Sequence, residues 1–295
     1  MTRFRGLWTA VAVVTLFVIT ACARPDGTGN GAAETAPSGA ASSAPATTDA
    51  LVLRIERVGG LMAPEQMPGK FPLVSVYADG RLITQGPQIA IYPPPALLNV
   101  QVQRLDRATV ESLLAKADAA GIRSGLDLGH PMVADASTTR ITVATSEGAR
   151  TLEVVGLTEA GADDPRLTAA QRDARAKVAK FVQEVSDLSA ATGTPNGQQY
   201  RPESLAALAS PYVPPSDGLP KKLRPIDWPG PPLPGAPLGT AHCVTVSGAD
   251  AGEVLSAAAD ATAITPWRSG GKVWSVRFRP LLPDETGCAD LAATR

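Results

Sequence analysis

From residue 51 onward the sequence predicts an α+β fold: an antiparallel sheet with two helices, followed by a small disulfide-stapled strand-helix-strand unit. Three observations carry this. Period-2 apolar runs pair off around glycine turns, two capped segments show apolar stripes at helical spacing, and the strict strand-helix alternation of a parallel sheet is absent. These observations place an α+β domain over residues 51–192, a Pro-rich connector over 193–238 and a C-terminal module over 239–295.

The first strand is marked by Leu51, Leu53 and Ile55 alternating with Val52, Arg54 and Glu56, and it closes at Gly59-Gly60. Residues 73–77 and 81–84 form two β-rich runs around Ala78-Asp79-Gly80. Asp-Gly suits the positive φ of a tight hairpin, so Asp79 reads as a turn residue. Val100 and Val102 mark a further short strand. A helix follows, with Asp106 as cap, Val110, Leu113, Leu114 and Ala117 on its apolar face, and Gly121-Ile122 as a left-handed stop. Residues 140–145 and 151–155 form a second hairpin around Glu147-Gly148. The second helix opens at Asp164-Pro165 or at the capping box of Thr168 and Gln171, and buries Val178, Phe181, Val182, Val185 and Leu188.

Residues 189–238 are polar and Pro-rich, ending in the run from Trp228 to Gly235, and read as a semi-rigid connector laid over the surface. Trp228 is expected to bury its ring. Beyond it, residues 242–246 form a strand, Ser247 and Asp250 a capping box, Ala251, Val254, Leu255 and Ala258 a helical face, and residues 272–278 an alternating strand preceded by Gly270-Gly271. Such a unit is too small for a generous core of its own.

Composition bounds the function. The chain has 295 residues, 27 of them Gly and 27 Pro, only 4% aromatic residues, and a formal charge of −1, which argues against a nucleic-acid footprint. Its N-terminus reads as an address. Arg3 and Arg5 precede a 14-residue apolar run, residues 7–20, too short for a comfortable membrane span of ~20 residues. The run ends Ile19-Thr20-Ala21-Cys22, which resembles the lipobox of bacterial lipoproteins. That resemblance implies a signal peptide over residues 1–21 and a diacylglycerol thioether on Cys22, with the folded part on the extracytoplasmic face of the cell membrane. Residues 23–50 contain no Val, Ile, Leu or aromatic residue, and 23 of these 28 are Ala, Gly, Ser, Thr or Pro, a composition that reads as a disordered tether.

Of the three cysteines Cys22 is assigned to the lipobox. Cys243 and Cys288, 45 positions apart, are expected to pair in a compartment where disulfides form. Two free thiols, or a metal pair with His242, are the alternatives. His130 and His242 are the only histidines, and neither sits in a nucleophile motif. Asp127, His130 and Asp135 form the one cluster resembling metal ligands, although a polar surface loop is the much commoner reading of such a segment. Ser247 lacks the glycines of a nucleophile elbow. Asp163-Asp164 and Asp284-Glu285 read as helix-start and turn residues. No cofactor motif is found.

Short motifs over the folded region resemble a family of uncharacterised actinobacterial secreted proteins and lipoproteins: residues 77–83, Gly86-Pro-Gln-Ile89, Tyr92-Pro93, residues 246–250, Thr265-Pro-Trp267 and residues 279–284. The resemblance carries no functional residue. The reading is a membrane-anchored, non-catalytic interaction module that contacts an envelope protein or polymer. The alternative is a small-ligand-binding lipoprotein with a pocket lined by Tyr92, Trp228 and Trp267, and a hydrolase or metal-dependent enzyme ranks third.

Overall fold

Two sheets, the first covered by two helices on one face and the second by one long helix on one face and a short one on the other, meet through a shared polar and apolar seam. The computed structural model describes residues 48–62, 64–161, 163–190, 197–216 and 223–292. The signal peptide, Cys22 and nearly all of the tether lie outside the described residues. Among those described, no helix is long and apolar enough to cross a membrane.

The first sheet is built from β1 (Leu51–Gly59), β2 (Val74–Tyr77), β3 (Arg81–Gln85), β4 (Val100–Arg104), β5 (Ser137–Thr145), β6 (Gly148–Val155) and β7 (Gln198–Gln199), in the order β6-β5-β1-β2-β3-β4-β7. Each strand runs antiparallel to its neighbours. Helices α1 (Arg107–Ala119) and α2 (Ala169–Ala190) lie on one face. There Leu53, Ile55, Val74, Val76, Leu82, Ile141, Val143, Leu152 and Val154 meet the two predicted helical stripes in a single core. The alternation of β1 holds except at its start. A register shift between Leu51 and Leu53 sends Leu51 to the opposite face.

The predicted helix ends are present. The Thr109 N–H donates to Asp106 Oδ1 at 2.6 Å. At the other end Gly121 takes φ 78°, its N–H reaches the Asp118 carbonyl, and the Ile122 N–H reaches the Ala117 carbonyl, the paired bonds of a Schellman stop. For α2 the Thr168–Gln171 box is the cap. Gln171 Oε1 accepts from the Thr168 N–H at 2.9 Å and Thr168 Oγ1 accepts from the Gln171 N–H at 3.2 Å. The Ser247–Asp250 box does not form. Ser247 is extended at the start of α3 (Gly248–Ala259) and its side chain makes no capping bond.

The second sheet corrects the reading of residues 193–238 as a connector. It comprises β8 (Ser204–Pro211), β9 (Ile226–Asp227), β10 (Ala236–Leu238), β11 (Ala241–Ser247), β12 (Pro266–Ser269) and β13 (Lys272–Pro280), ordered β10-β11-β8-β13-β12-β9, with only the β9–β12 pair parallel. β8 therefore lies inside the sheet, between β11 and β13, and Leu205 to Ala209 are buried on both faces. A strand covered on both sides shows no alternation, and Leu-Ala-Ala-Leu-Ala carries no β-branched residue, so neither pattern nor propensity announces it. This strand also resolves the size problem of the C-terminal module. The strand-helix-strand unit of residues 239–295 completes its sheet with chain from the supposed connector.

One face of this sheet packs on α3 around Trp228, Trp267, Trp274, Val276 and Phe278. The other face carries Ala206, Leu208, Cys243, Leu281 and Leu291. The predicted disulfide joins Cys243 on β11 to Cys288, the first residue of α4 (Cys288–Ala292), with Cα atoms 6.0 Å apart. The sheets meet where Leu282 enters the cluster of Phe71, Tyr77, Ile83 and Val100 on the helix-free face of the first sheet.

Candidate functional site

The residues singled out as metal ligands are not brought together. Asp127 accepts from the Gly129 N–H at 2.9 Å and from Gln171 Nε2 at 3.0 Å, an Asx turn stitched to α2. His130 is exposed, and Asp135 is an exposed residue at φ 51°. Among the described residues no group of three His, Cys, Asp or Glu side chains could hold a metal ion. Cys243 is committed to the disulfide, which removes the metal pair with His242. Ser247 is exposed and extended, and its side chain makes no capping bond.

The aromatic pocket is corrected as well. Trp228, Trp267 and Phe278 pack on one another with ring centroids 5.5–6.2 Å apart, and Trp267 is completely buried. They fill the α3 core, while Tyr92 is exposed and stands outside that core. An open cleft of about 180 Å³ on the second sheet is walled by Ala96, Ala209, Ala241, Ala263, Ser210 and Ser275 together with Leu208, Val276 and Arg277.

Asp79 is the turn residue expected. Its Oδ1 accepts from the Arg81 N–H at 3.1 Å, and its Oδ2 pairs with Arg81 and Arg104. The Asp284-Glu285 pair is more than a turn, and sequence reasoning missed this. Arg54 of β1 donates from Nη2 to Asp284 Oδ1 at 2.7 Å and from Nε to Ser75 Oγ at 3.1 Å, and the Tyr77 hydroxyl donates to the same Asp284 oxygen at 2.7 Å. Glu285 accepts from Arg279 Nη2 and from the Leu282 N–H, both at 2.8 Å. Arg279 also donates to the carbonyls of Pro280 and Lys70 and lies over the Phe71 ring, 4.6 Å from its centroid. These bonds tie the two sheets together, with the Arg279–Glu285 pair fully buried and the Arg54–Asp284 pair partly open to solvent. Burial pushes the Tyr77 hydroxyl above its usual range, with Asp284 adding to the shift against the opposing pull of Arg54. Burial lowers Arg279, against the pull of Glu285. Nearby, burial holds Tyr200 up at about 12, and its hydroxyl donates to the Leu281 carbonyl at 2.8 Å. Asp284 Oδ1 and both Glu285 oxygens are engaged within the protein, so the cluster acts as a clamp. The only sequence signal was a pair of acids in a C-terminal turn, with nothing to name partners more than 200 residues away.

The most distinctive surface lies at one end of the first sheet. The stretch from Leu82 to Gln103 contains no charged residue. Within it, residues 87–92 are all exposed, Ile89 at 60%, Ile91 at 56% and Tyr92 at 64%. Both ends of this loop are pinned. The Gln88 side chain bonds the Asn99 N–H and carbonyl and the Gly86 carbonyl, and Asn99 Nδ2 donates to the Pro87 carbonyl, in bonds of 2.7–3.2 Å. At the far side Pro95 bridges to Thr262, and the Ala96 and Ala263 N–H groups bond across the same junction. Leu61, after β1, is 91% exposed and Met132, before β5, is 62% exposed. Because β1 is antiparallel to β2 and β5, the end of β1, the start of β5 and the β3–β4 loop all belong to the same end of the sheet. Three loops at this sheet end thus carry exposed apolar residues.

No family model, curated protein or solved structure matches this chain.

Proposed function

We propose that the protein is a lipid-anchored, extracytoplasmic lipoprotein of a bacterial cell envelope, acting as a non-catalytic interaction module. The observation that carries this reading is the uncharged, pinned loop that leaves Ile89, Ile91 and Tyr92 in solvent. An apolar cluster kept exposed at the end of a well-ordered sheet fits a surface made for a partner. The lipobox-like run Ile19-Thr20-Ala21-Cys22 supplies the anchor in this reading, and the Cys243–Cys288 disulfide suits an oxidising compartment. Arg54, Tyr77 and Asp284 satisfy one another, which supports a structural role for this cluster of ionisable groups.

Cys22→Ala tests the anchor. The wild-type chain partitions with membranes and carries a mass added at its N-terminal cysteine, and the variant is released to the soluble fraction at the unmodified mass. Membrane association that survives Cys22→Ala unchanged would sink the reading.

A further inference from the structure

The apolar tips on the first sheet have the arrangement of a surface that rests on something flat. Leu61, Met132 and the pair Ile89 and Ile91 come from three separate loops at the same end of the sheet, and all four are more than half exposed. A protein pocket is matched by one deep anchor with a polar rim, whereas dispersed apolar tips on several loops suit a planar and fluid partner. The central loop is charge-free over Leu82–Gln103, so it meets no desolvation cost for an ionised group, and Tyr92 has the amphipathic ring favoured at a lipid–water boundary. Its pinned ends mean that contact requires little further ordering of the backbone.

Chain length allows the same membrane to be reached. The described chain begins at the Leu51 end of β1, where Asp49 pairs with Arg81, and the apolar tips lie beyond the Gly59 end, about 26 Å away along the strand. The 28 residues between Cys22 and Leu51 have a contour of up to ~95 Å, several times that distance. From this geometry we infer that residues 88–92, with Leu61 and Met132 beside them, form a second membrane contact that lays the apolar end of the protein on the lipid surface of the bilayer holding Cys22. This inference rests on the anchored reading above for the choice of membrane, and on the loop itself for the contact.

A single introduced thiol tests it, because Cys243 and Cys288 are bonded to each other. An environment-sensitive fluorophore is attached at Ile91→Cys, or at Glu147→Cys in the β5–β6 turn at the opposite end of the sheet. Each labelled protein is read with excess phosphatidylcholine–phosphatidylglycerol vesicles containing brominated acyl chains, both as the lipidated chain and with Cys22→Ala. The expected result is at least twofold quenching at position 91 in one or both forms, little at 147, and a fivefold or greater loss of quenching at 91 when Ile89→Asp is added. Absence of quenching at 91 in both forms, or equal quenching at 147, overturns the inference. So does a probe at 91 that ignores brominated lipid while the same position photo-cross-links to a single protein in cells, which assigns the surface to a protein partner. Failure of the anchor is seen separately, as a wild-type chain without added mass that does not float with vesicles, and the Cys22→Ala reading still decides the loop.

Discussion

Replacing Asp284 by Leu strips the inter-sheet clamp of its shared acceptor. The Arg54 guanidinium, 11% exposed, then lacks its counter-charge, and the Tyr77 hydroxyl lacks the acceptor it now reaches at 2.7 Å. Hydrogen bonds to charged groups contribute about 1.5–3 kcal/mol each, and breaking a buried pair costs about 3–5 kcal/mol. Asp284 is 24% exposed, so water reaches one side of the pair and the lower end applies. The expected loss is about 3 kcal/mol. Arg54→Met alone leaves a carboxylate that water and Tyr77 still solvate, at about 1.5 kcal/mol, and the double variant, apolar on both sides, is expected near 1 kcal/mol. The coupling between the two sites is then about 3.5 kcal/mol in magnitude. Urea unfolding followed by tryptophan fluorescence and by far-ultraviolet circular dichroism measures all four proteins. Thermal midpoints should follow, with Asp284→Leu about 6 °C or more below the parent at roughly 2–4 °C per kcal/mol for a domain of this size. A coupling energy below about 0.5 kcal/mol would refute the assignment of Arg54 and Asp284 as the clamp.

Removing the disulfide as Cys243→Ala with Cys288→Ala frees a loop of 45 positions and is expected to cost about 4 kcal/mol in the chain-entropy model, read as a drop in the urea midpoint. Gly80→Ala places a Cβ against the Leu105 carbonyl at a residue with φ 84°, and unfolding should show a loss of about 2 kcal/mol or more. Tyr200 gives a pH prediction with a definite sign. Its folded pKa, about 12, lies above the ordinary value of 10.0, so the stability it contributes is complete below pH 10 and is lost as pH rises towards 12. Tyr200→Phe should flatten the alkaline fall in stability over that window, with Tyr77, raised in the same direction, keeping part of it. An unchanged alkaline profile would remove Tyr200 from the account.

What the sequence determined by itself was local. The Asp106 cap, the Gly121 stop, the Thr168–Gln171 box, the Asp79-Gly80 turn and the stripes of both long helices all depend on residues within one or two turns of each other, and each is found where its spacing places it. The pairing of Cys243 with Cys288 was legible because, with Cys22 assigned to the lipobox, only one pair of cysteines remained. The candidate surface was legible only as an uncharged run, since exposure of Ile89 and Ile91 depends on what the loop crosses. Tertiary structure alone decided three things. It made an alanine-rich run an interior strand, because burial on both faces replaces propensity as the reason for β8 to be extended. It spent Trp228 and Trp267 on the core of the second sheet, where ring packing with Phe278 outweighs any role at a pocket. It also turned Asp284 from a turn acid into the acceptor of Arg54 and Tyr77, because the two sheets bring together residues more than 200 positions apart, beside the locally formed Arg279–Glu285 pair, where an unpaired charge would be costly.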